Sequence, residues 1–251
     1  MSSTTPQQAI ALVTGARGGI GRALVAQLRA NGIRVAAVGR DASALSDVPA
    51  DARIAADTTT AEGAAAAVAA CRDQLGGVPT LLAHCVGSTL IAPLHRTSAE
   101  LVREVLRVNL DSALFVLRAW VEALRADARP GAAVLVSSVV ARIGVANHEA
   151  IAAAKGGIEA LVRSAAATYA PQGLRINAVA PGMTDTPMTA GMLRVDALRE
   201  AAGRQYPLGG VQTAAQVAEV MAWLLSESAA RITGQVIAAD GGFTTVRPIV
   251  K

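Results

Sequence analysis

The chain has 251 residues, of which 52% are hydrophobic, 17% are charged and only 2% are aromatic, and its formal net charge is +4. So much apolar surface would collapse in water, which excludes a disordered chain, and the length suits one large α/β domain. No run of about 18 apolar residues predicts a membrane span, and the arginines, scattered without a basic run or interleaved aromatic residues, do not predict a nucleic-acid partner.

Two features of the sequence indicate a cellular compartment. The first residues, Met-Ser-Ser-Thr-Thr-Pro-Gln-Gln, are polar and do not resemble a signal peptide. Cys71 and Cys85 are the chain's two cysteines, too few for a disulfide framework, so we expect a protein of the reducing cytoplasm. The pair His84-Cys85 lacks a third ligand at suitable spacing, and no metal site is expected.

Short apolar runs alternate with longer helical stretches. The runs bounded by Gly, Pro, Asp or Ser predict seven buried strands, at 10–14, 34–38, 53–56, 80–85, 132–137, 175–179 and 235–239. Helical spacing of three and four residues connects Leu110, Ala113, Leu114, Leu117, Val121 and Leu124. The first helix, at about 18–31, is expected to end at Gly32 in a left-handed cap. This alternation predicts an α/β, single-domain Rossmann fold over residues 1–251, a doubly wound seven-stranded parallel sheet with helices on both faces.

A less regular stretch follows the sixth predicted strand. Residues 183–210 contain Met183, Met188 and Met192 and would lie at the carboxyl ends of the strands, where ligands bind in such sheets. The stretch is either an apolar lid over a substrate or an ordinary surface helix, and the sequence leaves both open.

The segment from Thr14 to Gly21 reads Thr-Gly-Ala-Arg-Gly-Gly-Ile-Gly and joins the first strand to the first helix. Glycines there let the backbone approach a pyrophosphate, whose charge the helix N-terminus would meet. The spacing differs from the common G-x-G-x-x-G, and a glycine cluster alone could be a tight turn. Its position favours a dinucleotide site. The expected contacts are Gly15, Arg17, Gly19, Ile20 and Gly21.

The end of the second strand indicates which dinucleotide binds. NAD sites usually place an acidic residue there to hold the ribose 2′-hydroxyl, whereas this chain has Gly39-Arg40. Arg40 and Arg17 could together hold a 2′-phosphate, or both could be solvated surface residues. Because the acidic residue is missing, NADP(H) is favoured over NAD(H).

Several further motifs accompany the phosphate loop. They are Asp57 after the third strand, Asn109 within Val-Asn-Leu, Ser137-Ser138 after the fifth strand, Lys155, the segment from Asn177 to Pro181-Gly182, Thr186, and Asp240-Gly241-Gly242. With these motifs the chain resembles the short-chain dehydrogenase/reductase family over nearly its whole length. The resemblance is nearest to ketoacyl-carrier-protein reductases and other small-molecule reductases of that family.

The resemblance implies a set of roles. In the family a Tyr gives a proton to the substrate carbonyl, a Lys holds the nicotinamide ribose, a Ser hydrogen-bonds the substrate oxygen and an Asn assists. Ser138, Lys155 and Asn109 stand at the last three positions. A homo-oligomer, a tetramer or a dimer, and a small-molecule substrate are implied too. The implied cofactor contacts beyond the phosphate loop are Asp57, Thr58, Val86, Gly87, Lys155, Pro181, Gly182, Thr184 and Thr186.

The sequence departs from the family pattern at two places. Tyr-x-x-x-Lys reads here Ile151-Ala-Ala-Ala-Lys155, and Lys155 is the only lysine before the terminal Lys251. Neither Tyr169 nor Tyr206 is expected to substitute. The family's Asn-Asn-Ala-Gly after the fourth strand reads His-Cys-Val-Gly at 84–87. Losing a general acid typically costs about 10²–10⁴-fold in rate, so we expect simple ketone reduction to be impaired.

Two groups could replace the missing acid. His148 precedes Lys155 by an interval that resembles the Tyr-to-Lys interval of enoyl reductases in this superfamily, although it could also be an ordinary loop histidine. Lys155 beside the apolar Ile151 would be desolvated, which lowers a lysine pKa, and it could then donate a proton directly or through a water.

The sequence is compatible with three functions. The first is an NADPH-dependent reductase of an iminium ion or of a conjugated enone or enoyl group, in which Ser138 or His148 steadies the enolate oxygen. The second is a non-redox enzyme, such as an isomerase, dehydratase or cyclase, on the same scaffold. The third is a catalytically silent subunit of a hetero-oligomer.

Overall fold

A computed structural model of the chain describes residues 8–247 and 249, so residues 1–7 of the polar N-terminal stretch and Lys251 lie outside the described residues. The strands are β1 (Ile10–Thr14), β2 (Arg34–Gly39), β3 (Ala52–Ala55), β4 (Leu81–His84), β5 (Gly131–Val136), β6 (Leu174–Pro181), β7 (Thr184–Asp185), β8 (Gln212–Thr213) and β9 (Val236–Ala239). Seven form one parallel sheet in the order β3-β2-β1-β4-β5-β6-β9, and β7 and β8 pair separately. The predicted doubly wound sheet is confirmed.

The α-helices of the described residues are α1 (Gly19–Ala30), α2 (Ala61–Leu75), α3 (Ala99–Leu106), α4 (Ser112–Ala126), α5 (Glu149–Tyr169), α6 (Asp196–Gly203) and α7 (Ala214–Leu225). The end of α1 follows the prediction, since Gly32 has φ +76°. None of these helices is long and apolar enough to cross a membrane.

The core lies on both faces of the sheet, because successive side chains of a strand point to opposite sides. On β1, Ile10 and Leu12 pack into the layer with α2, α4 and α5, whereas Ala11 and Val13 pack into the layer with α1 and α7. The Trp120 indole, fully buried on α4, donates its N–H to the carbonyl of Pro79 at 2.8 Å. The apolar runs are therefore strands buried on both sides.

The helical pattern around residue 110 is interrupted. A π-helical turn at Arg107–Asp111 joins α3 to α4, and it holds the buried Asn109. Leu114, which the spacing assigns to the apolar stripe, is 40% exposed. The wide turn changes the helical phase between Leu110 and the residues of α4. Leu114 lies within α4 at the edge of its buried face, which Ala113, Leu117 and Trp120 form.

Candidate active site

The carboxyl ends of β1, β4, β5 and β6 border a cavity of about 410 Å³. Of the site residues expected from the sequence, the cavity lining includes Gly19, Ile20, Gly21, Val86, Gly87, Ser138, His148, Lys155, Pro181, Gly182, Thr184 and Thr186. The others, which do not border it, are Gly15, Arg17, Arg40, Asp57, Thr58 and Asn109. The site residues expected from the sequence thus divide into those that line the cavity and those that lie outside its lining.

The phosphate loop is held by glycines that no larger residue could replace without movement. Gly15 has φ +66°, and a Cβ there would lie 2.6 Å from the carbonyl carbon of Cys85. A Cβ on Gly19 would lie 2.8 Å from Cγ2 of Thr186. These contacts bring the loop against β4 on one side and against the segment after β6 on the other.

The start of α1 suits an anionic group. Within the described residues no protein oxygen accepts from the backbone N–H groups of Gly19, Ile20 or Gly21, the first three of the helix. Unpaired N–H groups and the positive end of the helix dipole together form an anion site. Its donors and its missing Cβ atoms fit the pyrophosphate of a dinucleotide.

Two arginines lie beyond the cavity at the ends of β1 and β2. Arg17 and Arg40 are both exposed, and neither forms a salt bridge within the described chain. The nearby Asp41 carboxylate accepts from the N–H and the hydroxyl of Ser43, each at 2.8 Å, and these bonds lower its pKa. The two guanidinium groups therefore remain available to an anion.

Asp57 and Thr58 follow β3. The Asp57 carboxylate accepts from the Thr59 N–H at 3.0 Å and from the Thr59 hydroxyl at 2.7 Å, which lowers the Asp57 pKa. Thr58 is 4% exposed, and Arg107 donates to the Thr59 hydroxyl. The turn after β3 is therefore held by its own hydrogen bonds and by Arg107 of the π-helical turn.

The side chains of Lys155 and Asn109 both come close to Gly87, where a residue with a Cβ would crowd them. A Cβ on Gly87 would lie 3.0 Å from Asn109 Oδ1 and 3.3 Å from Lys155 Nζ. Lys155 donates to the Val136 carbonyl at 2.9 Å, and burial lowers the pKa of its ammonium to about 8. Asn109 Nδ2 donates to the hydroxyl of Ser88 at 3.0 Å, so Ser88, absent from the sequence-based set, supports Asn109.

The hydroxyls of the two serines after β5 have different hydrogen-bond partners. Ser138 borders the cavity, and its Oγ accepts from the Val140 N–H at 3.4 Å. Ser137 also borders the cavity, but it is buried and its hydroxyl donates to the carboxylate of Glu159 at 3.1 Å. Ser138 is thus the serine whose hydroxyl hydrogen has no acceptor among the described residues and can be donated to a substrate.

Ile151 lies one turn before Lys155 on α5. It is 4% exposed, borders the cavity and packs with Val105, Ala150 and Ala154. At this position the cavity wall is a hydrocarbon side chain, which can neither donate nor accept a proton.

His148 precedes α5 as its N-cap residue and does not lie inside the helix. Its Nδ1 is 2.7 Å from the Ala146 carbonyl. Because a carbonyl only accepts, Nδ1 carries the hydrogen, and the neutral ring offers Nε2 as an acceptor. His148 could therefore give a proton only from its imidazolium form.

His84 is buried and links the end of β1 to the start of α4. Its Nδ1 is 2.8 Å from the Thr14 hydroxyl and its Nε2 is 3.0 Å from the Ser112 hydroxyl. Burial lowers the His84 pKa to about 3, which keeps the ring neutral. Burial also raises the pKa of the neighbouring Cys85 thiol to about 12, which opposes a nucleophilic role. Within the described residues no cluster of three potential metal ligands occurs.

Sequence reasoning missed Tyr206. Its ring borders the cavity together with Met183, Met188 and Met192 of the 183–210 stretch. No local pattern connects Tyr206 to the phosphate loop or to Lys155, so only the fold places them in one cavity.

A family profile described as enoyl-(acyl carrier protein) reductase matches residues 15–244. A short-chain type dehydrogenase/reductase from Mycobacterium ulcerans has a similar structure, with a TM-score of 0.88 and 28% identity, over 96% of this chain and 91% of that one. The chain belongs to the short-chain dehydrogenase/reductase family.

Relatives of known activity support this assignment. The chain is 36% identical to cis-4-hydroxycyclohexanecarboxylate dehydrogenase of Sinomonas cyclohexanicum, over 94% of this chain and 97% of the relative. It is 32% identical to 2-(R)-hydroxypropyl-CoM dehydrogenase of Xanthobacter autotrophicus, over 94% and 99%. The chain is thus an oxidoreductase of the short-chain dehydrogenase/reductase family, and its fold implies that it binds a nicotinamide cofactor.

Proposed function

We propose that the chain is an NADPH-dependent reductase that acts on a small conjugated enone or enoyl compound, with a proton donor other than a tyrosine at position 151. The observation that carries the proposal is Ile151 on the cavity wall one turn before Lys155, beside an accessible Ser138. When bound, the reduced nicotinamide supplies the hydride.

The cofactor preference rests on Arg17 and Arg40. Both guanidinium groups stand at the strand ends without salt bridges in the described chain, and Gly39-Arg40 replaces the acidic residue typical of NAD sites. A 2′-phosphate held by two arginines would form charge-assisted hydrogen bonds, each stronger than a neutral one. The N–H groups at the start of α1 would hold the pyrophosphate.

The charge of the cavity favours a conjugated carbonyl over an iminium ion. Lys155 has a pKa of about 8 and is therefore mostly cationic at neutral pH. A buried cation repels a cationic substrate, whereas it stabilises the negative charge that an enone places on its oxygen during reduction. Ser138 supports the same oxygen by donating its hydroxyl hydrogen.

Two side chains are candidate donors of the proton that completes the reaction. His148 could supply it from the imidazolium form, with Nδ1 donating to the Ala146 carbonyl. Lys155 could supply it directly or through a water. An aliphatic enone needs less help than a ketone, because its oxygen carries only part of the developing charge.

Three further properties belong to the proposal. Residues 183–210, whose three methionines border the cavity, act as a lid over the substrate. The enzyme is a homo-oligomer, a dimer or a tetramer, as the family resemblance implies. It works in the cytoplasm, in keeping with its two unpaired cysteines.

Calorimetric titration with NADPH and then NADH tests the cofactor. We expect NADPH to bind about 10- to 100-fold more tightly, the range that a charge-assisted contact supplies. The double substitution R17A/R40A should remove that difference. Arg118→Ala, which changes an exposed arginine paired with Glu122 on α4, is the matched control and should leave both affinities unchanged.

Turnover is then measured with cyclohex-2-enone and with the cyclic imine 1-pyrroline, by the loss of NADPH absorbance. Consumption of the enone supports the reductase. Cofactor binding without consumption of either compound would favour the non-redox enzyme. Binding of neither nucleotide would contradict the proposal and favour a silent subunit.

A further inference from the structure

Tyr206 is fixed between the end of β6 and the turn after β9. A Cβ on Gly182 would lie 2.6 Å from Cε1 of the Tyr206 ring, so the ring occupies the space that a side chain at 182 would fill. The ring also packs on Phe243, with centroids 5.1 Å apart and an interplanar angle of 38°. The ring therefore has little freedom to turn.

The hydroxyl of Tyr206 is oriented by the backbone. The N–H of Met183 donates to Tyr206 Oη at 2.6 Å. The phenolic hydrogen must then point elsewhere, and no acceptor for it occurs in the described part of the chain. Burial raises the pKa of the phenol, which keeps it protonated and able to donate.

Tyr206, whose phenolic hydrogen has no acceptor among the described residues, lines the cavity. Tyr206 borders the cavity that Ser138 and Lys155 also border, but it reaches the cavity from the wall made by residues 183–206. Ser138, in the turn after β5, and Lys155, on α5, belong to a different part of the lining. A substrate in the cavity can therefore be contacted from both parts of the lining.

The surrounding side chains limit the chemistry of the acceptor. Met183, Met188 and Met192 line the same wall, and their thioethers are weak acceptors. Lys155 is the one Lys or Arg of the described residues that borders the cavity. A hydroxyl or carbonyl oxygen suits this wall better than a carboxylate, which would enter an apolar surface without a cation beside it.

We propose that Tyr206 is a specificity-determining residue, whose phenol donates a hydrogen bond to a second, uncharged oxygen of the substrate. This proposal rests on the proposed reductase function and deepens it. The substrate class becomes small enones that carry a hydroxyl or carbonyl oxygen in addition to the conjugated carbonyl held at Ser138. A site built around an unpaired donor discriminates against analogues that lack the acceptor.

The test uses probes that differ in one oxygen. Cyclohex-2-enone is compared with 4-hydroxycyclohex-2-enone and cyclohex-2-ene-1,4-dione, in ligand-observed NMR titrations of the full chain with and without NADP⁺. We expect at least one oxygen-bearing probe to bind roughly 3- to 10-fold more tightly than cyclohex-2-enone, which is the range of one net hydrogen bond. Tyr206→Phe should remove this preference while binding of cyclohex-2-enone stays unchanged. Tyr169→Phe, at the other tyrosine, is the matched control.

A second measurement leaves position 206 intact. The chain has two tyrosines, so in the Tyr169→Phe protein a carbon-13 label at tyrosine Cζ reports on Tyr206 alone. The preferred oxygen-bearing probe should shift this resonance, and cyclohex-2-enone should leave it in place. This result does not depend on how well Tyr206→Phe folds.

The outcomes separate the two proposals. Equal binding of all probes, no binding of any of them, or a preference that survives Tyr206→Phe would overturn the role of Tyr206. Failure of the wild-type chain to bind NADPH would overturn the reductase function, and the titrations without nucleotide would still decide the role of Tyr206.

Discussion

Replacing His84 by glutamine tests whether one buried imidazole makes the fold sensitive to acid. Ser112 donates its hydroxyl to the Val108 carbonyl at 2.6 Å, so it must accept from His84 Nε2–H. Nδ1 is then the acceptor for the Thr14 hydroxyl. The neutral ring has a hydrogen-bond partner for both of its nitrogens. A second proton would bind to Nδ1, and Nδ1 could then no longer accept the hydrogen bond from the Thr14 hydroxyl.

The magnitude follows from the shift in pKa. The ordinary histidine pKa is about 6.5, and burial lowers that of His84 to about 3. Between these values the unfolded chain binds a proton that the folded chain does not, so the free energy of unfolding falls as the pH falls. The stabilisation is complete above pH 6.5 and is lost by about pH 3. Each pH unit is equivalent to about 1.4 kcal/mol, so going from pH 7 to pH 5 should cost about 2 kcal/mol.

Urea unfolding at pH 7 and pH 5 measures the effect. Glutamine keeps one donor and one acceptor but does not titrate, so His84→Gln should lose about 2 kcal/mol less than the wild type on acidification. His95→Gln, at an exposed histidine, is the control and should behave like the wild type. An equal loss in wild type and His84→Gln would refute the assignment of a neutral buried ring.

Three further substitutions test the site. Ile151→Tyr should raise the rate of cyclohexanone reduction by about 10²–10⁴-fold, the usual contribution of a general acid. Ile151→Phe is the control. No cyclohexanone reduction by Ile151→Tyr with NADPH bound would contradict the arrangement around Lys155. Because the Lys155 pKa is lowered from 10.5 to about 8, the free energy of unfolding of the cofactor-free chain should rise between these pH values by about 3 kcal/mol. Urea unfolding should show that rise in the wild type and not in Lys155→Met, and an equal rise in both would assign it to another group. Gly182→Ala should displace the Tyr206 ring and lower the free energy of unfolding by about 1–3 kcal/mol; urea unfolding at neutral pH checks this, and unchanged stability would show that the ring can move aside.

Much of the fold could be predicted because its signals are local. A strand buried on both faces is a continuous apolar run, and β1 has the predicted bounds, Ile10–Thr14. Gly32 marks the end of α1 through a backbone conformation that glycine favours. β6 extends to Pro181, beyond the predicted residue 179, because pairing with β9 continues there, and that pairing depends on a distant strand.

The candidate site was only partly predictable, for the same physical reason. Glycines at 15, 19 and 21 have a recognisable local spacing. The structure places Gly15 and Gly21 where backbone approaches backbone, and Gly19 against the side chain of Thr186. His84 carries no such signal, since its partners Thr14 and Ser112 come from other elements. Tyr206 enters the cavity through a loop whose path no periodicity describes.

The π-helical turn at Arg107–Asp111 has a consequence for how this protein tolerates change. One extra residue in a turn rotates everything that follows by about 100° relative to a regular helix. Deleting a single residue there would restore an ordinary helix, but it would turn the buried Trp120 and Leu124 of α4 away from the sheet. Point substitutions in this turn should therefore be far milder than one-residue deletions, and its length should be the property least free to vary.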